Sequence, residues 1–246
     1  MSVLTVVSLL AVLGLVAVHL ISGKLRFLGG TPRSIWLSMA GGVSVGYVFV
    51  HLLPELAESQ ETIAEAVGEG IAFLERHVYL LALLGLLVFY GLERAAKVSR
   101  GRHNAAGVGD RAGGDVFWLH ILSFAIYNAI IGYLLLHRIA TGIEALLLFF
   151  IAMALHFVVN DYGLREDHKD LYTRAGRWVL AAAVFVGWLV GVLVEIPEPA
   201  IAVLIAFLSG GVVLNVLKEE LPKERESRFW PLLVGAALYA AILLAL

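Results

Sequence analysis

Long apolar runs, broken at intervals by short polar stretches, set the pattern of this chain. A helix of about 20 mostly apolar residues crosses the hydrocarbon core of a bilayer. Runs of this kind are predicted over residues 3–21, 35–53, 78–92, 116–136, 143–159, 178–194, 200–217 and 229–246. The expected fold class is all-α and integral to a membrane, with eight transmembrane helices in a single polytopic domain over residues 1–246. No basic segment precedes the first run and no small-residue cleavage site follows it, whereas Lys24 and Arg26 do follow it. It reads as a retained anchor whose start faces outward.

Composition excludes a freely soluble domain, because 60% of the residues are apolar and 15% charged, against about 25% charged in an ordinary soluble domain. There is no cysteine, so disulfides, thiolate ligands and a cysteine nucleophile are excluded, and a metal site would use His, carboxylate, amide or water. The 18 Lys and Arg nearly balance the 20 Asp and Glu, which leaves no basic footprint for a nucleic-acid partner. Their distribution is more informative. Sixteen of the 18 basic residues fall in alternate loops, and the opposite loops hold only Arg76 and Arg138. By the positive-inside rule this places both termini outside and the loop after the third run inside, in a multi-pass protein of the cell membrane. That inner loop, residues 94–115, is rich in Arg and Gly and is expected to be a flexible linker. The outer stretch with Glu55, Glu58, Glu61, Glu65, Glu69 and Glu75 reads as a solvated amphipathic helix. No Walker A sequence, dinucleotide fingerprint or nucleophile elbow is present.

Two runs echo each other. Ala40-Gly41-Gly42-Val43 is followed by His51-Leu52-Leu53-Pro54-Glu55, and Ser209-Gly210-Gly211-Val212 is followed by Glu219-Glu220-Leu221-Pro222; the Gly-Gly to Pro spacing is 12 residues in one and 11 in the other. Since the two runs are threaded in opposite directions, the echo predicts an inverted repeat of spans 1–3 and 6–8 around a central pair, a 3+2+3 plan common among secondary transporters. Small residues also let membrane helices approach closely, with or without transport.

Polar groups are expensive in hydrocarbon, so those inside spans are the candidates for a site. Tyr127 and Asn128 lie in the fourth run; His156, with Asn160 four residues on, and Asp161 lie in the fifth; His51 and Glu55 close the second; Asn215 lies in the seventh. His156 and Asn160 share a helix face and offer nitrogen and oxygen donors suited to a borderline metal. His51 and Glu55 share another face and suit a cation pathway. His19 and His120, near the inner ends of their runs, read as interfacial residues.

Taken together these residues resemble the ZIP family of divalent-metal transporters. Ala40-Gly41-Gly42 through His51-Leu52-Leu53-Pro54-Glu55 is similar to the family's second span, and Glu220-Leu221-Pro222 to the close of its seventh. The fourth-span motif, His-Asn, two residues, an acid and Gly, falls on Tyr127-Asn128-Ala129-Ile130-Ile131-Gly132. The fifth-span motif, His and an acid, then Pro and Glu or His, falls on His156-Phe157-Val158-Val159-Asn160. Asn128, Gly132 and His156 are kept, while Tyr127, Ile131, Phe157, Val159 and Asn160 depart from the pattern.

The resemblance implies a secondary transporter with a transported zinc, iron or manganese ion, no tightly bound cofactor and no enzymatic activity. The metal would meet Asn128, His156, Asn160 and Asp161, with His51, Glu55 and Tyr127 along the pathway. The expected partners are the lipid bilayer, the metal cation and a second copy of the chain as a homodimer. The alternative is a degenerate ZIP-like scaffold or regulator, or a carrier of a different solute, in which Ile131 and Phe157 plug the site. An intramembrane hydrolase on His51, Glu55 and His156 lacks a His-Glu-x-x-His pair.

Overall fold

The apolar runs fold as helices throughout the computed structural model, which describes residues 3–25, 34–67, 78–107, 113–140, 142–220 and 228–245. In a hydrocarbon environment a helix satisfies its own backbone N–H and C=O groups, which is why such sequences take this form. In chain order the helices are α1 (Val3–Ile21), α2 (Ile35–Tyr47), α3 (Leu53–Val67), α4 (Val78–Ala105), α5 (Gly114–Ala140), α6 (Ile143–Leu171), α7 (Arg177–Leu193), α8 (Glu198–Glu220) and α9 (Phe229–Ala245). Ser34 opens α2 by accepting the Leu37 N–H on its hydroxyl at 3.1 Å. Ser34→Ala should therefore cost about 1 kcal/mol, read as a lower Tm of the purified protein that Ser34→Asp restores.

Two helices continue into the next through a widened turn. Between α2 and α3, over Val48–Leu52, the Leu53 N–H reaches back to the Val48 carbonyl, one residue further than in an α-helix. Pro54 follows at once, and its missing N–H and bulky ring account for the irregularity. A second widened turn, Tyr172–Gly176, joins α6 to α7, just after Lys169 departs from helical geometry at φ 49° and ψ −121°. The stretch 160–177, read as a loop from its charges, is thus mostly helical.

This changes the count. Among the described residues there are seven continuous helical rods, and six are long and apolar enough to cross a membrane: Thr5–Lys24, Ile35–Thr62, Val78–Ala105, Gly114–Leu136, Ile143–Leu193 and Glu198–Lys218. The fifth and sixth predicted spans are parts of one 51-residue run, and the last helix, at 17 residues, falls short. The expectation of eight spans is corrected to six, and the placing of both termini outside, which was counted across eight, loses its basis. What stands is a multi-pass, all-α membrane protein.

The 3+2+3 inverted repeat is corrected as well. The chain divides into two compact units, one of Met1–Gly30 and Leu92–Val194 and the other of Thr31–Gly91 and Glu195–Leu246. The predicted triplets are split between them, and the predicted central pair shares its unit with α1 and α7. Helix α4 continues through residues 94–105, the first part of the stretch expected as a linker, while residues 108–112 lie outside the described residues, as do Glu69, Glu75, Arg76 and Leu221-Pro222.

Glycine sets how closely the helices meet in each unit. In the first, α5 lies on α7: a Cβ on Gly132 would come within 2.0 Å of the Val184 carbonyl oxygen, and one on Gly187 within 1.8 Å of that of Ala129. In the second, Gly42 of α2 and Gly235 of α9 stand in the same relation to Leu232 and Met39, at 2.1 and 2.2 Å. Leu56 of α3, Val78 of α4, and Ala202 and Ala206 of α8 form an apolar cluster in that unit. Outward-facing large residues such as Leu80, Leu83, Leu84 and Leu87 of α4 are half exposed, as a lipid-facing surface requires.

Candidate polar site in the first unit

Several of the polar side chains buried inside the first unit meet. His19 comes from the end of α1, Ser22 from the short turn after it, Tyr127 and Asn128 from α5, and His156, Asn160 and Asp161 from α6. His19 and Asn128 have no exposed surface, and Asp161 is 2% exposed. A carboxylate so placed needs close partners to be tolerated. It has them: His19 Nδ1 lies 3.0 Å from both carboxylate oxygens, and the Ser22 hydroxyl donates to Oδ2 at 2.8 Å.

The other face of His19 meets a side-chain amide. Nε2 is 2.9 Å from Asn128 Oδ1, and the orientation of that amide is set because its Nδ2 donates to the Phe124 carbonyl at 2.7 Å. Both ring nitrogens of His19 therefore face acceptors. His19 and Asp161 so arranged form a close buried pair held between α1, α5 and α6.

A second bond joins the same two helices. The Tyr127 hydroxyl and His156 Nε2 are 2.9 Å apart, both side chains buried. Phe157 fills the space between the imidazoles, its ring stacked on His19 at 4.4 Å with 28° between planes. Asn160 is buried, and its Nδ2 has no hydrogen-bond partner among the described residues. Ile131 is buried on α5.

Of the residues predicted for the site, Asn128 and Asp161 are thus joined through His19, His156 is bonded to Tyr127, and Asn160 lies one turn from His156. His51 and Glu55 belong to the second unit. There His51 sits on the widened turn after α2, with its Nε2 3.8 Å from Glu55 Oε2 and its ring beside Tyr47. Sequence reasoning passes over His19, because a histidine at the end of an apolar run is ordinarily an interfacial residue. The available signal is that Asp161 requires a buried cationic partner, and the apolar runs hold few groups able to serve. Among the described residues no group of three or more His, Cys, Asp or Glu could hold a metal ion. Compared with known proteins, the chain matches no family model and no curated protein.

Proposed function

We propose that this multi-pass protein is a ZIP-like secondary transporter of a divalent metal cation of the zinc, iron or manganese class, and that its cation site is the cluster around Asp161. The observation that carries this reading is the convergence of His19 on Asn128 and Asp161. It adds an imidazole to the donors named from sequence and brings it to the one intramembrane carboxylate among them. His19, Asp161 and Asn128 offer one imidazole, one carboxylate and one amide, a donor set that would hold a borderline metal weakly enough to let it leave. A metal ligand binds through an unprotonated nitrogen, so a cation entering here would take the place of one of the two hydrogen bonds of His19. Tyr127 and Phe157 stand where the family's motifs have His and an acid, and the site accordingly carries less negative charge than the pattern implies.

Purified protein in liposomes should take up at least one of zinc, manganese, iron(II) and cobalt. His156→Ala should slow that uptake by about tenfold, the lower end of the effect of altering a metal ligand's surroundings. Absence of flux for all four ions removes the reading. One observation favours a second reading, a ZIP-like scaffold without transport: Phe157 lays an apolar ring against His19. A folded protein that carries none of the four ions would establish it.

A further inference from the structure

One buried polar atom of the first unit stands outside the bonds described so far. Tyr172 is 1% exposed, and its hydroxyl closes no hydrogen bond among the described residues. That hydroxyl nevertheless faces the Asp161 carboxylate and the Ser22 hydroxyl. A buried donor left unmet is costly, so its place beside a carboxylate points to a second arrangement in which the bond is made.

The local fold explains how the phenol comes to stand there. Tyr172 begins the widened turn between α6 and α7, and the Arg177 N–H reaches back to its carbonyl, one residue further than in an α-helix. Its ring lies on Gly176, where a Cβ would come within 2.8 Å of Tyr172 Cδ2 and 3.2 Å of Ile121 Cδ1. Only glycine leaves room for the ring at that position. From α6, Arg165 donates to the Gly23 carbonyl at 2.9 Å and so fastens the short turn that carries Ser22.

We propose that Tyr172 is the reserve hydrogen-bond donor of Asp161, a positioning residue that takes hold of the carboxylate when an entering cation draws His19 away. The cation rests on the transport reading above; the handover of the bond belongs to the side chains themselves. Asp161 is held by His19 Nδ1, which reaches both of its oxygens, and by Ser22. A cation lying between His19 and Asp161 meets Nδ1 and ends both of those contacts, which leaves Ser22 alone on a buried carboxylate. Tyr172 makes good the loss. A phenol O–H is a donor in its ordinary state, and the group already stands beside the acceptor. The O–H turns onto a carboxylate oxygen, the proton stays on the phenol, and no other bond is made or broken. Carboxylates that ligate metals are themselves held by such outer hydrogen bonds, which keep them oriented.

Thermal unfolding of the full chain without metal tests the handover. Tyr172→Phe alone removes a hydroxyl that has no bond to lose, so the Tm should be unchanged or slightly higher. In His19→Phe, which removes the imidazole and keeps an aromatic ring against Phe157, the same change should lower the Tm by about 4 °C, the shift expected in a chain of this length from one hydrogen bond to a charged group. Equal shifts in the two backgrounds overturn the proposal. Uptake by liposomes needs only the single variant. With whichever of zinc, manganese, iron(II) and cobalt the native protein carries, Tyr172→Phe should raise the half-saturating concentration about tenfold, the lower end of what outer partners of a metal ligand contribute, and keep the maximal rate. An unchanged half-saturating concentration overturns the proposal, and a fall in maximal rate together with the Tm would make Tyr172 a packing residue only. Absence of flux for all four ions removes the transport reading instead, and the unfolding comparison then decides the handover by itself.

Discussion

Asp161→Ala should abolish cation uptake and destabilise the protein by about 3–5 kcal/mol, the cost of breaking a buried ion pair by removing one partner. The size follows from what remains. His19 is fully buried and hydrogen-bonded to Asp161 and Asn128. Without the carboxylate it keeps only the bond to Asn128, and a buried ring nitrogen loses its partner. The Ser22 hydroxyl loses its acceptor at the same time. Asp161→Asn keeps the shape and separates charge from packing, and His19→Gln removes the other partner. Thermal unfolding of the two single variants and the double variant should give a coupling energy of about 2 kcal/mol. Additive effects within a few tenths of a kcal/mol would mean that the two groups do not act as a pair, and uptake that survives in Asp161→Asn would remove the carboxylate from the cation site.

The second large effect is expected at Gly187, where Ala should destabilise the first unit by about 3 kcal/mol, the upper end of ordinary overpacking. The added methyl would sit 1.8 Å from the Ala129 carbonyl oxygen and 2.7 Å from its Cα. Backbone cannot turn aside as a flexible side chain can, so α5 and α7 must separate. Gly132, on the opposite helix, is limited in the same way by Val184, and Gly132→Ala should cost a similar amount. Gly91 offers the control, because nothing lies within 4 Å of a Cβ there. Gly91→Ala should leave the Tm unchanged or raise it slightly, since Ala is the better helix former. Equal Tm values for all three variants would mean that the α5–α7 contact is looser than the backbone distances imply. Separation of α5 from α7 would also disturb Asn128, which lies on α5 beside Ala129, so uptake should fall along with stability.

The helical character of the chain and most of the polar site are legible in the sequence for one reason: hydrophilic groups are rare in apolar runs and must find partners there. Asn128, His156, Asn160 and Asp161 stand out on that ground alone. His19 does not, because its place at the end of a run is equally natural for a residue at the lipid–water boundary; only the position of Asp161 in space reveals its role. The span count misleads for a related reason. The charges of residues 160–177 suggest a loop, yet several are matched within the fold, Asp167 by Arg100 and Lys169 by Glu166, and helix runs on both sides of the kink at Lys169. The glycines announce close helix contacts, but sequence does not say which helices meet, and the packing of α5 on α7 and of α2 on α9 distributes the predicted triplets between two units. Pro54 signals a disturbance of the second run, and the widened turn at Val48–Leu52 is the form it takes.

The bond from Asn128 Nδ2 to the carbonyl of Phe124, one turn earlier on the same helix, has a consequence for whatever meets that amide. A carboxamide free to spin presents oxygen or nitrogen at random and loses that freedom when it captures a charge. Here α5 has already anchored the nitrogen end to its own backbone, so the oxygen is turned toward His19 by the secondary structure itself, with no freedom left to give up.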